Sequence, residues 1–423
     1  MRVLLLGPDH DRGSIPPYLD VLAAGLRERG ASVERLSAGG LPLDRDRGRF
    51  WPAERIVAAA EALLARIDLD ACDLVSLHYG NLEVEQLVPA LWSRLLGSRA
   101  RARRAAAPPL VAHVHFVDWT LFSTHVVNPD LYRAVVAGIT QVDGLVFFGE
   151  YARRALAARS GPRLRGIPSV VSYFPTTIPS PEPVDNASSP PSQLARLTPG
   201  GPPGEGAADR DAGVLGAVLA GMGGGDRPPL ATLYGFANPW KAPSDLLAAF
   251  ERMRAPLRCV LAGHGWDRPE RAGVDLRPAL HPKRLRVGAA ELTVVSAWLG
   301  PSERLALVRA SDLAIFPYRR HESFQGSGAI TDYLAHGVPV VATDVANMAE
   351  LIGDAGVVVP PSDPAALAAA LDRVVRDPAW RAALARAARR RAALFSRARH
   401  LDDCYAFYAR VTAARGGATT PAR

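Results

Sequence analysis

Short apolar runs alternate with helical stretches through the first 175 residues of the chain. Val3–Leu6, Ser32–Leu36, Leu74–His78, Leu110–His115, Gly144–Phe148 and Ser169–Tyr173 have the length and apolar content of buried strands. Pro16–Arg29, Ala53–Ala65 and Leu82–Leu95 space their apolar residues as helices do, and Gly30 closes the first of them. Alternation of this kind predicts a parallel sheet wrapped by helices. It resumes with strands at Leu230–Tyr234, Arg258–Ala262, Leu292–Ser296, Asp312–Phe316, Val338–Ala342 and Gly356–Val359. Helices are predicted at Ser244–Arg254, Pro301–Arg309, Gly328–His336, Ala346–Leu351, Pro364–Arg376 and Ala379–Leu394. A last helix, about Arg397–Val411, carries Tyr405 and Tyr408.

Between the two alternating regions the pattern stops. Pro175–Pro229 holds eleven prolines and ten glycines in 55 residues, a composition that buries too little apolar surface to order itself. The expected organisation is a first domain over residues 1–175, a linker with a mobile insertion over 176–229, and a second domain over 230–396. A chain of 423 residues accommodates this. The N-terminal apolar run is too short for a signal peptide and reads as a first strand. No run reaches the length of a membrane span. Cys72, Cys259 and Cys404 lie far apart without metal-ligand spacing, which fits a reducing cytoplasm. The net charge of +8 invites a nucleic-acid reading. No basic-aromatic stacking module accompanies it, and a basic surface equally favours anionic small substrates. Arg99, Arg101, Arg103 and Arg104 form the one dense cluster, read as a solvated loop or as a peripheral docking patch for anionic lipid or acceptor.

The chemistry concentrates in Pro317–Thr343. Gln325–Gly328 predicts a tight loop, and the helix that follows opens on it. Gly337 caps that helix and Pro339 blocks its continuation. A helix start with free N–H groups from Gly326, Ser327 and Gly328 suits a phosphate; the bland reading is a plain turn. Asp332 lies four residues into the helix, placed to accept from a ribose diol, with a structural partner as the bland reading.

The run Ala335–Thr343, AHGVPVVAT, resembles the donor-binding motif of the family 4 glycosyltransferases. The resemblance implies an α/β GT-B fold, two Rossmann-like domains facing across a cleft, the first completed by a C-terminal helix about 397–423. It implies a retaining transferase that uses a nucleoside-diphosphate sugar, with no cofactor and no metal. Asp332 stands at the family's second glutamate; Glu322 is carried over as the first, touching the sugar hydroxyls. In YGFANPWKAP, Gly235 and Lys241 keep the spacing of the family's diphosphate-binding motif, with Phe236 in place of its arginine and Ala242 in place of its glycine. The missing cation is supplied by Arg319, Arg320 or His321, with Arg319 preferred. Gly263, in the turn Leu261–Gly265, falls near the nucleotide base. Gly13, in the loop GPDHDRG, and Asp118 face the acceptor. His115, at the end of its strand, falls near the transferred sugar; His113 shares its face. Glu350 matches a family position that a solvated helix residue explains as well. The implied mechanism is front-face substitution, the acceptor proton passing to the leaving phosphate. Two other classes share the fold: a sugar-nucleotide epimerase, and a non-catalytic nucleotide-sugar-binding protein. Sugar, base, acceptor and oligomeric state are not encoded in any motif found.

Overall fold

The structure is a computed structural model. It describes residues 1–7, 15–37, 53–79, 108–115, 140–160, 164–179, 215–222, 227–235, 239–263, 282–297, 299–320 and 326–417. The helix expected at Leu82–Leu95, the Arg99–Arg104 cluster, Gly13, Asp118, Phe236, His321 and Glu322 lie outside the described residues.

The first sheet contains β1 (Arg2–Gly7), β2 (Ser32–Ser37), β3 (Leu74–Tyr79), β4 (Leu110–Val114), β5 (Gly144–Phe147) and β6 (Ser169–Val171). All are parallel, in the order β2-β1-β3-β4-β5-β6. The second contains β7 (Leu230–Tyr234), β8 (Leu257–Ala262), β9 (Lys283–Val287), β10 (Ala290–Val295), β11 (Leu313–Phe316), β12 (Val340–Thr343) and β13 (Gly356–Val359). Its order is β13-β12-β11-β7-β8-β10-β9, parallel except that β9 runs antiparallel to β10. β4, β5, β7, β11 and β12 are buried along their whole length, which is why they read as largely apolar runs; the polar exceptions are His113, Thr232 and Thr343. β9 was not expected. Its sequence, KRLRV, alternates charge with apolar side chains because it sits at the sheet edge.

Inside the stretch read as linker, residues 215–220 are helical, and Leu215 and Val218 are buried in the core of the second domain. The second domain therefore takes up chain before residue 230. Ile178 belongs to that core as well.

The C-terminal helix, Arg397–Gly417, packs on the first domain. Its Leu401, Cys404, Phe407, Tyr408 and Val411 pack with Val3, Leu5, Tyr18 and Leu22. The two crossings meet: Thr176 N–H donates to the Phe395 carbonyl at 3.0 Å, and Arg397 Nε donates to the Thr176 carbonyl at 3.0 Å. No helix among the described residues is long and apolar enough to cross a membrane.

Candidate active site

In an open parallel sheet the ligand crevice forms at the carboxyl ends of the strands, where the order reverses. In the second sheet that reversal lies between β7 and β11. Gly235 follows β7, and Pro317–Tyr318 follow β11. Gly235 has φ +115° and Gly263, after β8, has φ +142°. A Cβ on Gly263 would come within 2.2 Å of the Gly235 carbonyl oxygen, and one on Gly235 within 2.6 Å of Lys241 Nζ. Neither position admits a side chain. Their backbones pack directly onto one another, and the lysine amine lies over them.

Lys241 ends a short 3-10 turn, Pro239–Lys241. The next residue, Ala242, has φ 43° and ψ 57°. It keeps the left-handed conformation for which the related motif uses glycine. Lys241 is buried, with Nζ donating to the Tyr234 carbonyl at 3.3 Å and lying 5.9 Å from the centre of the Tyr318 ring. Burial lowers its pKa from the ordinary 10.5 to about 7. Tyr318 is also buried; burial pushes its phenol pKa up, and the Ser327 side chain acts in the opposite direction. Tyr318 thus has the lysine amine and Ser327 as neighbours. Ser327 precedes the helix Gly328–Ala335 and makes no side-chain cap, so the first N–H groups of the helix are not closed by its own hydroxyl. A Cβ on Gly326 would lie 2.5 Å from Asn347 Oδ1, a buried oxygen with no hydrogen-bond partner.

The first domain closes the other side. His115 follows β4, and its ring lies 4.7 Å from Phe148, which lies 5.3 Å from Phe174. The Phe174 ring is 3.3 Å from where a Cβ on Gly328 would sit. Glu350 is not a solvated helix residue. Its carboxylate accepts the N–H groups of Glu150 at 2.6 Å and Tyr151 at 2.8 Å, capping a helix start of the opposite domain. Gly235, Lys241 and Gly263 thus stand at strand ends of the second domain, and packed rings lead from His115 of the first domain to Gly328.

Two expected ligands are placed elsewhere. Asp332 is 1% exposed and its oxygens are taken by the protein. Oδ1 accepts from the Thr176 hydroxyl at 2.6 Å and the Thr177 N–H at 2.9 Å; Oδ2 accepts from the Tyr234 phenol and faces Arg304 Nη1 at 3.6 Å. Burial, and next the Asp332 charge, hold the Tyr234 pKa well up, so the phenol stays a donor. The expected ribose ligand is instead a fastener of the interdomain linker. The physical reason is that an ionised carboxylate in a buried helix needs donors, and the crossing chain supplies them. His336, one turn on, reaches the Pro179 carbonyl at 2.8 Å and serves the same junction.

Arg319 is paired with Asp245. Its Nε donates to Asp245 Oδ2 at 2.7 Å and its Nη2 to Ser244 at 3.1 Å. This fork holds the start of the helix Pro243–Arg252 against the end of β11, and the Asp245 hydrogen bond raises the guanidinium pKa. The fork occupies the charge that was assigned to a diphosphate.

Sequence reasoning did not assemble the buried polar cluster behind His115. His78, His113, His400, Tyr18, Tyr408, Ser76 and Ser172 are all buried there and hydrogen-bonded in series. Part of its signal was visible: His400, Cys404 and Tyr408 recur every four residues, one face of a helix. Among the described residues, no three His, Cys, Asp or Glu side chains converge as a metal-ligand set. A cavity of about 490 Å³ lined by Arg227, Arg258, Arg284 and Arg286 lies near the β9 edge of the second sheet, remote from the switch point.

Residues 228–377 match the family model described as Glycosyl transferases group 1. A D-inositol 3-phosphate glycosyltransferase of Salinispora arenicola is 35% identical over 205 residues, 45% of this chain and 43% of that protein. An O-antigen chain mannosyltransferase B of Escherichia coli is 31% identical over 162 residues, 36% of this chain and 38% of that protein. The chain thus spans less than half the length of these curated relatives. Among solved structures, a glycosyltransferase from Rickettsia africae superposes with a TM-score of 0.67 at 15% identity, covering 97% of this chain and 98% of that one. Sucrose-phosphate synthase from Thermosynechococcus elongatus gives 0.64 at 16% identity, covering 98% and 99%. Anabaena Alr3699/HepE, in complex with UDP and glucose, gives 0.61 at 15% identity, covering 99% and 100%.

Proposed function

The chain has the GT-B glycosyltransferase fold and carries the glycosyl transferases group 1 domain over residues 228–377, and from that premise we propose that it moves a sugar from a nucleoside-diphosphate sugar to a hydroxyl acceptor with retention of configuration. One observation carries the reading. At the switch point of the second sheet, a buried lysine amine and a helix start that Ser327 does not cap both neighbour Tyr318, so an amine that a diphosphate would charge lies near backbone N–H donors. A departing diphosphate needs that pair. The fold neighbour Alr3699/HepE, whose structures hold UDP and UDP-glucose, supports a nucleotide sugar as donor.

In this mechanism Lys241 and the amides of Gly326, Ser327 and Gly328 take up the charge of the leaving diphosphate. Gly263 and Gly235 let the nucleotide approach the strand ends without side chains in the way. His115 faces the transferred sugar from the other domain. The acceptor hydroxyl gives its proton to the leaving phosphate, so the step needs no protein nucleophile and no metal. Closure of the two domains excludes water.

The test is calorimetric titration of a panel of nucleoside diphosphates. Lys241→Ala should weaken the best ligand by about tenfold or more, the loss of one charge-assisted contact. Unchanged affinity in that variant, or no binding by any member of the panel, removes the site. Configuration is read from the anomeric proton coupling of the product.

A further inference from the structure

Eight hydrogen bonds run in unbroken series from the C-terminal helix to the cleft. Asp403 Oδ2 accepts from Ser172 Oγ at 2.8 Å, and Ser172 Oγ meets His400 Nδ1 at 3.0 Å. His400 Nε2 meets the Tyr18 hydroxyl at 2.8 Å, and that hydroxyl meets His113 Nδ1 at 3.1 Å. His113 Nε2 meets the Tyr408 hydroxyl at 2.6 Å, which meets Ser76 Oγ at 2.7 Å. Ser76 Oγ meets His78 Nε2 at 2.9 Å, and His78 Nδ1 meets His115 Nε2 at 3.3 Å.

The carboxylate at one end sets the direction of every bond. An ionised carboxylate only accepts, so Ser172 spends its single proton on Asp403. Ser172 must then accept from His400, which places the His400 proton on Nδ1. A neutral imidazole with Nδ1–H has a bare Nε2, so Tyr18 donates to it. Tyr18 then accepts from His113 Nδ1–H, and Tyr408 donates to the bare His113 Nε2. Ser76 donates to Tyr408 and accepts from His78 Nε2–H. His78 Nδ1 is bare and takes the proton of His115 Nε2–H. The assignment needs all four rings neutral. Burial supplies that: it drives His78 and His113 well below the ordinary histidine range, and His115 and His400 to about 3. The Cys404 thiol, 3.4 Å from His400 Nε2, is a weaker donor to the same lone pair and leaves the direction unchanged.

We infer that Asp403 and the chain behind it hold His115 in its Nε2–H tautomer, so that Nδ1 stands as a hydrogen-bond acceptor for a substrate hydroxyl in the cleft. The substrate half of this statement rests on the proposed function; the tautomer does not. Asp403, Ser172, His400, Tyr18, His113, Tyr408, Ser76 and His78 are positioning residues in this scheme, and none of them touches substrate. The logic is that of an orienting carboxylate behind a histidine, extended across a sheet and two helices.

The experiment is two-bond 1H–15N spectroscopy of the full chain labelled with 15N-histidine, the His115 signals being assigned by their loss in His115→Gln. The unmodified protein should show His115 and His78 as Nε2–H, and His113 and His400 as Nδ1–H. The opposite tautomer at His115 or at His113 overturns the inference without any variant. Tyr408→Phe removes one hydroxyl from the middle of the series, and Asp403→Asn replaces the pure acceptor with a group that also donates. Each should turn His115 into a tautomer mixture and lower sugar transfer about tenfold, the worth of one substrate hydrogen bond, while nucleoside-diphosphate affinity stays within about twofold. Asp403→Glu should restore both the single tautomer and the rate. A His115 tautomer that stays unchanged in Tyr408→Phe and Asp403→Asn overturns the inference. Absence of sugar transfer beside the stated tautomers overturns the proposed function and leaves the chain assignment standing.

Discussion

Asp332 Oδ1 accepts the Thr176 hydroxyl at 2.6 Å, and this bond ties the helix behind the glycine loop to the chain leaving the first domain. The same carboxylate faces Arg304, whose side chain is 17% exposed. Thr177 joins both: its hydroxyl accepts from Arg304 Nη1 at 2.8 Å while its N–H donates to Asp332. Removing the charge leaves a largely buried guanidinium without its carboxylate. Asp332→Asn should lower the free energy of unfolding by about 3 kcal/mol. Nucleoside-diphosphate affinity of the folded variant should stay within about threefold of the parent. A stable variant with affinity lost tenfold or more would return Asp332 to the ribose.

Arg319 and Asp245 make the contrasting pair. The arginine is 45% exposed, so solvent screens most of the attraction. Arg319→Ala should cost about 0.5–1 kcal/mol in urea unfolding. It should leave nucleoside-diphosphate affinity and its salt dependence unchanged. A steep drop in affinity would mean that the guanidinium leaves Asp245 when ligand arrives.

Much of the fold was legible because it rests on local pattern. β7, β11 and β12 are buried on both faces, so their sequences are largely apolar runs with glycine or proline next to at least one end. The places of Gly235 and Lys241 in the fold were legible because both lie within a few residues of the end of β7. Asp332 was misread because its partners arrive from positions 176, 177, 234 and 304, and no local pattern announces a carboxylate that serves a crossing chain. The Arg319 pair was not legible for the same reason, its partner lying 74 residues away. The histidine chain draws on β3, β4, the first helix and the C-terminal helix, and only the fold brings those segments together. β9 was missed because an edge strand alternates where an interior strand does not.

Gly326 is constrained by a side chain that gains little from being there. Asn347 Oδ1 stands 2.5 Å from the position of a Gly326 Cβ and has no hydrogen-bond partner. Gly326→Ala should therefore push the loop away from Asn347 and weaken nucleoside-diphosphate binding about tenfold, on the scale of an overpacked core position. Adding Asn347→Ala opens the space and should recover most of that loss. Equal affinity in Gly326→Ala and the parent, by calorimetry, would show that the loop amides are not ligands.

Lys241 makes binding depend on pH in a definite direction. Its pKa falls from 10.5 to about 7 on burial, so between those values the empty folded protein holds a neutral amine and the unfolded chain a charged one. The unfolded chain binds more protons there, so this group adds stability as pH rises from 7 toward 10.5 and withdraws it as pH falls through 7. Ligand reverses the preference, because a diphosphate favours the charged amine. Binding above pH 7 then requires proton uptake, and affinity should fall by up to about tenfold per pH unit between pH 8 and 9. Calorimetry in buffers of different ionisation enthalpy should detect one proton taken up per ligand at pH 8.5. Lys241→Met should bind weakly at every pH, with no proton uptake and a flat profile over the same interval. A parent protein whose affinity is flat from pH 7 to 9 would place the amine away from the diphosphate.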